Sequence, residues 1–329
     1  MKVNFVPETF NPKIYNSVIF HPLQSWEWGE VRIKTGLNIF RIGEFSENKL
    51  KNSYLVTLHN IPFTNFKIGY IARSSVPSKE ILEFLKKQAL KENVIFFKFE
   101  PYEKKADLKK LDLSNFKRST HPLFPDWTII QDISQDEKVL FNKLKPKTRY
   151  NIKLAQKKGI IIKEETNQKG YKIFEKLYFE TTKRQNYHGH NKNYHKIIWQ
   201  NLKNKISHIL IAYYKNEPLS ACELFLYKDR GYYVYGGSSI NYRNLMASNL
   251  LMWEALMFCK NKGCISFDMW GSLSKDYSQS HPWAGFTRFK EGYGGDFVEM
   301  IGSYDFIIKP LVYRLYNFAY FLRKLYLEI

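Results

Sequence analysis

Residues 208–239 read HILIAYYKNEPLSACELFLYKDRGYYVYGGSS, and their pattern decides the fold of the second half of the chain. Three runs rich in β-branched and aromatic residues are separated by two tight turns, and the runs cover 208–213, 219–227 and 232–235. Because turns this short join antiparallel neighbours, the runs predict a meander of three strands. An apolar helix follows over 245–262 and ends at Gly263, and a further strand is predicted over 265–269.

The same order of elements can be traced in the first half of the chain. Strand-like runs and one helix (78–91) occur over 41–43, 54–58, 67–72, 78–91 and 94–99. Two meandering strands, a third strand, a helix and another strand form the core order of an N-acyltransferase. Pro146 breaks the chain between the halves and can open the next helix, so we place the boundary near residue 145. The predicted fold class is α/β, with two tandem N-acyltransferase (GNAT)-like domains whose mixed sheets are flanked by helices.

The chain carries a large positive charge. Its 329 residues include 51 Lys and Arg against 31 Asp and Glu, a formal net charge of +20. Such an excess favours polyanionic partners, namely nucleic acid, an anionic membrane surface or phosphorylated substrates. A genomic bias toward Lys, Asn, Ile and Tyr explains the same charge, and the composition leaves both explanations open.

Cysteine usage and terminal signals indicate a reducing compartment. Cys222, Cys259 and Cys264 lie in apolar runs without metal-ligand spacing, which is typical of buried thiols. The N-terminus lacks a basic segment followed by an apolar one, and no apolar run approaches the roughly 20 residues that span a bilayer. A cytoplasmic protein is therefore expected.

The segment between the third strand of the meander and the following helix bears on the acyl donor. An acyltransferase that uses acyl-CoA needs a glycine-rich loop there, because backbone N–H groups cradle the pyrophosphate. The loop here reads Gly236-Gly-Ser-Ser-Ile-Asn-Tyr-Arg-Asn-Leu-Met246, with Met246 in place of the first glycine of the Arg-x-x-Gly-x-Gly/Ala pattern. We expect the Met side chain to fill the space of the phosphate, which favours a donor other than CoA.

Several short motifs occur in a fixed order along the chain. They read QSWEWG (24–29), KTRYNI (147–152), YVYGGSS (233–239), YRNLMA (242–247), FDMWG (267–271) and FKEGYGG (289–295). Together they resemble the FemABX family of aminoacyl transferases over roughly residues 20–316, most densely from 120 to 305. Agreement of several motifs in one order is far more specific than any one of them.

The resemblance implies a reaction and its partners. Members of the family transfer Gly, Ala, Ser or a similar residue from aminoacyl-tRNA to the stem-peptide side-chain amine of a peptidoglycan precursor, and so form the interpeptide bridge. The acceptor is either UDP-MurNAc-pentapeptide or lipid II. No long charged helical hairpin interrupts the second half, so the chain is similar to the short, FemX-like members without a coiled-coil arm. A monomer without metal or organic cofactor is expected.

The resemblance also divides these tasks between the two domains. The first domain is expected to comprise 1–145 together with a returning segment, about 305–329, and to bind the precursor. The second domain, 146–304, is expected to hold the aminoacyl-tRNA end and the catalytic cleft.

Roles for individual residues follow from the resemblance. Lys290 is expected to stabilise the oxyanion, and Phe289 to lie near the terminal adenosine of the tRNA. Lys34 and Arg184 are expected to bind the diphosphate of the precursor, for which cationic side chains are suited. Glu100 stands where the family often has an Asp that is considered for a base-like role.

Two tyrosines form a further candidate pair. Tyr233 and Tyr235 alternate with Val234 on a strand, so both hydroxyls are expected on one face. They either hydrogen-bond the stem peptide or precursor, or serve as core aromatics beside a polar cleft.

Two basic segments have open interpretations. A helix face can meet tRNA phosphates or simply be solvated, and it carries Lys143, Lys145, Lys147, Arg149, Lys153, Lys157 and Lys158. The C-terminal segment 310–326 is helical, aromatic and basic. It either packs on its own domain or makes a peripheral contact with the anionic inner leaflet of the membrane.

No metal site and no single function follow from the remaining features. His188, His190 and His195 are close in sequence, but no carboxylate or Cys spacing completes a zinc site. Two other functions stay open: an N-acyltransferase that uses acyl-CoA or acyl carrier protein, and a non-catalytic relative that binds tRNA or a membrane. Retention of Lys34, Arg184 and Lys290 argues against the second.

Overall fold

A computed structural model of the protein describes residues 1–187 and 189–328, so His188 lies outside the described residues. The chain divides into two compact units. Met1–Phe124 and Met300–Ile329 form the first unit, and Pro125–Glu299 forms the second. Each unit contains a mixed β-sheet with helices packed on it.

The strands and the helices are numbered in the order in which they occur along the chain. The strands are β1 Lys2–Phe5, β2 Asn38–Ser46, β3 Lys49–Asn60, β4 Lys67–Ala72, β5 Val94–Glu100, β6 Lys117–Arg118, β7 Trp127–Asp132, β8 Ile161–Glu164, β9 Ser207–Tyr214, β10 Glu217–Tyr227, β11 Arg230–Ser238, β12 Ser266–Asp268, β13 Asp296–Glu299 and β14 Tyr304–Ile307. The helices are α1 Pro12–Ser17, α2 Trp26–Lys34, α3 Lys79–Glu92, α4 Glu137–Lys143, α5 Pro146–Lys157, α6 Gln168–Arg184, α7 Lys192–Leu202, α8 Ala247–Asn261, α9 Ala284–Glu291 and α10 Pro310–Glu328.

The sheet of the first unit has the strand order β1-β2-β3-β4-β5-β14-β6. Strands β1 to β4 form an antiparallel meander, and β4 pairs with β5 in parallel after the crossover through α3. Ser78 caps α3 by accepting from the N–H of Ile81, and Asn93 ends the helix in the left-handed conformation. The returning strand β14 pairs with β5 on one side and with the edge strand β6 on the other.

The sheet of the second unit has the order β13-β7-β12-β11-β10-β9-β8. Strands β8 to β11 form an antiparallel meander, and β12 pairs with β11 in parallel after the crossover through α8. One face is covered by α5 and α8, whose apolar residues form the core that we call the α8-side core. The other face is covered by α6 and α7, which form the α6-side core.

The two sheets confirm the predicted fold class. The first unit runs β2, β3, β4, α3, β5 and the second runs β9, β10, β11, α8, β12, so each contains the meander, helix and strand predicted from the sequence. Cys222, Cys259 and Cys264 are buried free thiols, as their apolar surroundings predicted.

The division of the chain differs from the predicted one. The units divide after residues 124 and 299, whereas the sequence placed the boundaries near 145 and 305. The physical reason is strand β7, which hydrogen-bonds to β12 and β13 and so ties the segment before residue 145 to the second sheet. Pro146 does open α5, but within the second unit.

Candidate active site

Strand β12 ends in Asp268, and the chain turns sharply over the next three residues. The buried carboxylate of Asp268 accepts hydrogen bonds from the Thr128 hydroxyl at 2.6 Å and from the N–H of Trp270 at 2.8 Å. Trp270 and Gly271 have positive φ angles of 59° and 105°. A Cβ atom at Gly271 would lie 2.6 Å from the ring of Pro125, so the turn requires glycine there.

Helix α9 places the amine of Lys290 on this turn. The Nζ atom donates to the carbonyl oxygens of Met269 and Gly271, the latter at 2.7 Å. The side chain is 1% exposed, and Nζ lies 3.7 Å from the ring centroid of Phe286. Burial lowers the pKa of Lys290 well below its ordinary value, and the negative charge of Asp268 opposes this shift.

The spacing of three residues on α9 explains why the lysine points inward. Ala284, Thr287 and Lys290 are buried at intervals of one helical turn, so they form one face. The hydroxyl of Thr287 accepts from the N–H of Leu273 at 3.1 Å and fixes the helix on the same turn. Phe289 is half-buried and packs against the α8-side core.

The prediction that Tyr233 and Tyr235 share a face of β11 is wrong. Tyr233 pairs with Leu224 and Tyr235 with Glu223, which are consecutive residues of β10, so Val234 is the extra residue of a β-bulge. Since directly opposed residues lie on the same side of a sheet, the two tyrosines lie on opposite faces. Tyr233 packs against the α8-side core and Tyr235 against the α6-side core.

Two buried titratable groups that sequence reasoning missed lie on the α6 side. The His195 ring is 4.7 Å from the rings of Tyr178 and Tyr235, and neither ring nitrogen has a hydrogen-bond partner among the described residues. Burial lowers the pKa of His195 to about 4. Glu223 accepts from the Ser207 hydroxyl at 2.6 Å, its other oxygen has no partner in the described part of the chain, and burial raises its pKa to about 7. A glutamate inside an apolar strand was the signal that could have revealed this group.

Arg184 ends α6 and binds the end of β11. Its guanidinium donates to the Ser238 carbonyl oxygen at 3.0 Å, and to the hydroxyls of Thr181 and Ser238 at 3.3 Å each. The guanidinium group carries five N–H donors, so these bonds use only part of the set. Arg184 and Tyr235 therefore lie on the α6 side, whereas Phe289 and Tyr233 pack on the α8-side core.

Glu100 ends β5 in the first unit and accepts hydrogen bonds at both carboxylate oxygens. One carboxylate oxygen accepts from the Tyr70 hydroxyl at 2.6 Å, and the other accepts from the N–H groups of Leu123 at 2.6 Å and Phe124 at 3.2 Å. The side chain is buried. These contacts tie the segment at residues 123–124 to the sheet.

Lys34 is the exposed last residue of α2, where the helix dipole favours a cation.

Arg73 follows β4 and was missed by the sequence prediction. Its φ angle is 52°, its N–H donates to the carbonyl oxygen of Glu100 at 2.7 Å, and its guanidinium lies 4.0 Å from the ring centroid of Phe124. Among the described residues, no group of three or more His, Cys, Asp or Glu side chains could hold a metal ion.

Comparison with known proteins identifies the family. The FemAB family model matches residues 111–219 and 209–321, which together cover more than half of the chain. The chain belongs to the FemAB family. The lipid II:glycine glycyltransferase of Staphylococcus haemolyticus is 22% identical over 376 aligned positions, which cover 89% of each chain.

Solved structures support the fold of this FemAB protein. The crystal structure of FemX superposes with a TM-score of 0.85 at 18% identity, over 96% of this chain and 99% of that chain. A tandem GNAT protein from the clavulanic acid biosynthesis pathway superposes with a TM-score of 0.52 at 9% identity, over 92% and 98% of the two chains. The two GNAT-like units are thus a shared architecture.

The conformation of Met246 bears on the prediction that the acyl donor is not CoA. In this FemAB protein Met246 directly precedes α8 with a φ angle of 56°, and its half-buried side chain packs against the α8-side core. The side chain is therefore anchored in the core. The exclusion of CoA by Met246 stays a prediction.

Proposed function

We propose that this FemAB protein transfers an amino acid of the Gly, Ala or Ser class from aminoacyl-tRNA to the side-chain amine of a peptidoglycan stem peptide. The observation that carries the proposal is the match with a glycyltransferase over 89% of both chains. A match of this extent includes most of both GNAT-like units. The product is an amide that begins the interpeptide bridge.

The reaction needs positioning and charge stabilisation more than it needs a nucleophile from the protein. The acceptor amine attacks the ester carbonyl, the new C–N bond forms, the ester C–O bond breaks and the tRNA hydroxyl leaves, while the amine loses a proton. Because the ester is already activated, holding the two substrates together and stabilising the oxyanion supply most of the acceleration. A protonated lysine in a site without water stabilises an oxyanion far better than a solvated lysine does.

Lys290 is our candidate for this charge. Two carbonyl oxygens and the face of Phe286 surround its amine, and all three contacts are favourable to an ammonium ion. Phe286 is 44% exposed, so displacement of its ring would uncover the amine. If the ammonium form is required, transfer falls as the pH rises through the lowered pKa of Lys290. If the neutral amine instead takes up the proton of the acceptor, transfer rises over the same range.

Binding roles are proposed for the other candidates. Arg184 and Lys34 bind the diphosphate of the precursor, Phe289 lies near the terminal adenosine of the tRNA, and Tyr233 and Tyr235 contact the substrates from the two faces of their sheet.

Glu100 is a weaker candidate for a base. Its two carboxylate oxygens accept three hydrogen bonds from its own unit, which occupy three of about four acceptor positions. The contacts favour a structural role in the first unit.

A transfer assay tests the proposal. Purified protein is incubated with total tRNA charged with labelled amino acids and with UDP-MurNAc-pentapeptide or lipid II, and the acceptor is analysed by mass spectrometry. We expect a mass gain of one residue that RNase abolishes. A gain that survives RNase, or no gain with either acceptor, would contradict the proposal.

A further inference from the structure

The C-terminal helix α10 has one face packed on the first unit. Tyr313 is 4% exposed, its hydroxyl donates to Asp305 at 2.8 Å, and its ring lies 5.1 Å from that of Phe96. Tyr316 lies 5.5 Å from the Phe96 ring, and Tyr320 lies 3.8 Å from the ring of His121. Positions 313, 316 and 320 lie on one side of the helix. This side of α10 packs on its own unit, which is one of the two interpretations that the sequence left open.

The opposite side of α10 carries an exposed apolar stripe. Its members follow the spacing i, i+4, i+7 and i+11 and are exposed by 75%, 68%, 61% and 48%: Leu311, Leu315, Phe318 and Leu322. At about 100° per residue these four side chains fall within a narrow sector of the helix. A contiguous exposed apolar patch of this kind marks an interaction surface.

Another exposed apolar residue, Phe63, belongs to a loop that packs beside the first half of α10. Phe63, in the loop between β3 and β4, is fully exposed and has a φ angle of 63°, a conformation that bulky residues rarely adopt. The residues that flank this loop, Ile61 and Phe66, pack in one cluster with Val312 and Tyr316 of α10. We include Phe63 in the candidate surface because its loop packs beside α10 and its own side chain is exposed.

The charge around the stripe is positive. Arg314 and Arg323 are exposed on α10, and the segment 310–323 contains no Asp or Glu. The whole chain carries a net charge of +20. Apolar side chains bordered by basic ones are the composition of helices that lie in the surface of an anionic membrane.

The alternative occupant, a second copy of the chain, would find too little surface on the described side chains of the stripe. Even a large aromatic side chain buries only about 150–250 Å², and three of these four side chains are leucines, so they offer roughly 500 Å² or less. A stable dimer buries about 800 Å² on each partner. The spacing would suit a helix pair, but the described part of the stripe spans about three turns of α10.

We propose that the stripe of α10, together with Phe63, docks this protein on an anionic lipid surface, with the helix lying in the plane of that surface. The contact is peripheral, since no helix in the described part of the chain is long and apolar enough to cross a membrane. Given the proposed function, the docked enzyme would meet a lipid-linked precursor at the lipid surface itself.

Vesicle co-sedimentation of the full-length protein tests the docking surface. The vesicles contain phosphatidylcholine alone or with roughly one third phosphatidylglycerol. We expect binding to the anionic vesicles, a loss of partitioning of about tenfold or more in Leu315→Gln/Phe318→Gln, and a loss of about threefold in Phe63→Ser. The matched control is Ile161→Gln/Ile265→Gln, which changes two exposed isoleucines of the second unit and should bind within about twofold of the unmodified protein.

Several results would overturn the inference. They are absence of binding by the unmodified protein, equal binding by the stripe variant, and a concentration-dependent dimer that the stripe variant abolishes. The substituted side chains are exposed, so the melting temperature and transfer to soluble UDP-MurNAc-pentapeptide should not change. Vesicle binding without any transfer would leave the docking surface intact and contradict only the proposed function, and transfer without vesicle binding would do the reverse.

Discussion

The two units bury an acidic residue at the same place in their repeated fold, but they use it differently. Glu100 ends β5 and Asp268 ends β12, each the strand that follows the crossover helix. Glu100 receives donors from a tyrosine hydroxyl and from two N–H groups of a distant segment, which it ties to the sheet. Asp268 shapes a tight turn of its own chain and leaves the carbonyl oxygens of that turn for another group.

The neighbouring cations show the same difference. Beside Glu100 stands Arg73, whose guanidinium lies against the Phe124 ring. Beside Asp268 stands Lys290, whose amine is held by two carbonyl oxygens and has its pKa lowered by burial. The first unit thus has an arginine packed on an aromatic ring where the second unit has a buried amine of lowered pKa. We therefore expect the second unit to catalyse the transfer reaction.

The largest effect is expected from Lys290→Met, which removes the amine and keeps the side chain long and apolar. Loss of one preorganised charge at the oxyanion typically costs about 100- to 1000-fold in kcat, and we expect transfer to fall by that factor. The measurement is the rate of transfer under saturating substrates, with the melting temperature recorded for the same preparation.

Lys260→Met is the matched control. Lys260 also donates to two carbonyl oxygens in the second unit, those of Ile133 and Ser134 at 3.0 and 3.1 Å, but it is half-exposed. Its variant should keep transfer within about threefold, because only hydrogen bonds are lost. Equal losses in the two variants would mean that Lys290 acts only by holding the turn.

Glu223→Gln sharpens the comparison by testing a buried acid that lacks a full set of partners. The unfolded chain loses the proton of this group near its ordinary pKa of 4.5, and the folded chain near 7. Between these values the folded state binds more protons, so stability falls as the pH rises, by ~3 kcal/mol in total. Glutamine mimics the protonated acid, so the variant should match the unmodified protein below about pH 4.5, exceed its stability increasingly between pH 4.5 and 7, and keep the full difference above about pH 7.

His195 provides the internal check on this prediction. Its pKa is lowered from 6.5 to about 4, so the unfolded state binds more protons in that window and stability rises with pH. Between about pH 4.5 and 6.5, Glu223 makes the stability fall with pH and His195 makes it rise. Glu223→Gln removes the first contribution, so the stability of the variant should rise with pH in this range. Denaturant titrations at several pH values measure this. A variant that is less stable than the unmodified protein at about pH 8 would contradict the assignment.

Glu100→Gln should have the opposite sign. The amide keeps one acceptor oxygen but presents an NH2 group to a partner that formerly donated, so we expect a loss of about 1–3 kcal/mol in the free energy of unfolding. Transfer by the folded variant should stay within a few fold. A kcat reduced by about 100-fold or more at unchanged melting temperature would instead establish Glu100 as the base.

The order of elements was predictable from the sequence, whereas the geometry of the site was not. Periodicity and turn residues set the order β9, β10, β11, α8, β12, because they act over a few neighbouring residues. The bulge at Val234 was invisible, since it depends on the register between β10 and β11 and not on the sequence of β11 alone. The boundary near residue 145 was wrong for a similar reason: β7 takes its partners from strands more than 130 residues later.

Lys290 was named from a motif, but its surroundings could not be. Its carbonyl partners lie about twenty residues earlier in a turn with two successive positive φ angles. No local pattern announces that such a turn will hold an amine. The burial of His195 and Glu223 likewise arises from α6 and α7 packing over the meander.

The smallest effect is expected from the proposed diphosphate contacts of Lys34 and Arg184. Lys34→Gln in the first unit and Arg184→Gln in the second should each raise KM for UDP-MurNAc-pentapeptide about tenfold, which corresponds to about 1.4 kcal/mol, with kcat within about threefold. The reason is that the diphosphate is remote from the reacting amine, so its contacts are equally strong before and during the reaction.

Arg184→Gln should also lower the melting temperature, because its guanidinium holds Ser238. A third variant separates a specific contact from general attraction. Lys183 is the exposed neighbour of Arg184 on α6, and Lys183→Gln removes the same charge from the same helix end. If its KM rises as much as that of Arg184→Gln, and if raised salt cancels both effects, the positive charge of α6 acts at long range. The proposed contact between Arg184 and the diphosphate would then be wrong, and the first unit alone would bind the precursor.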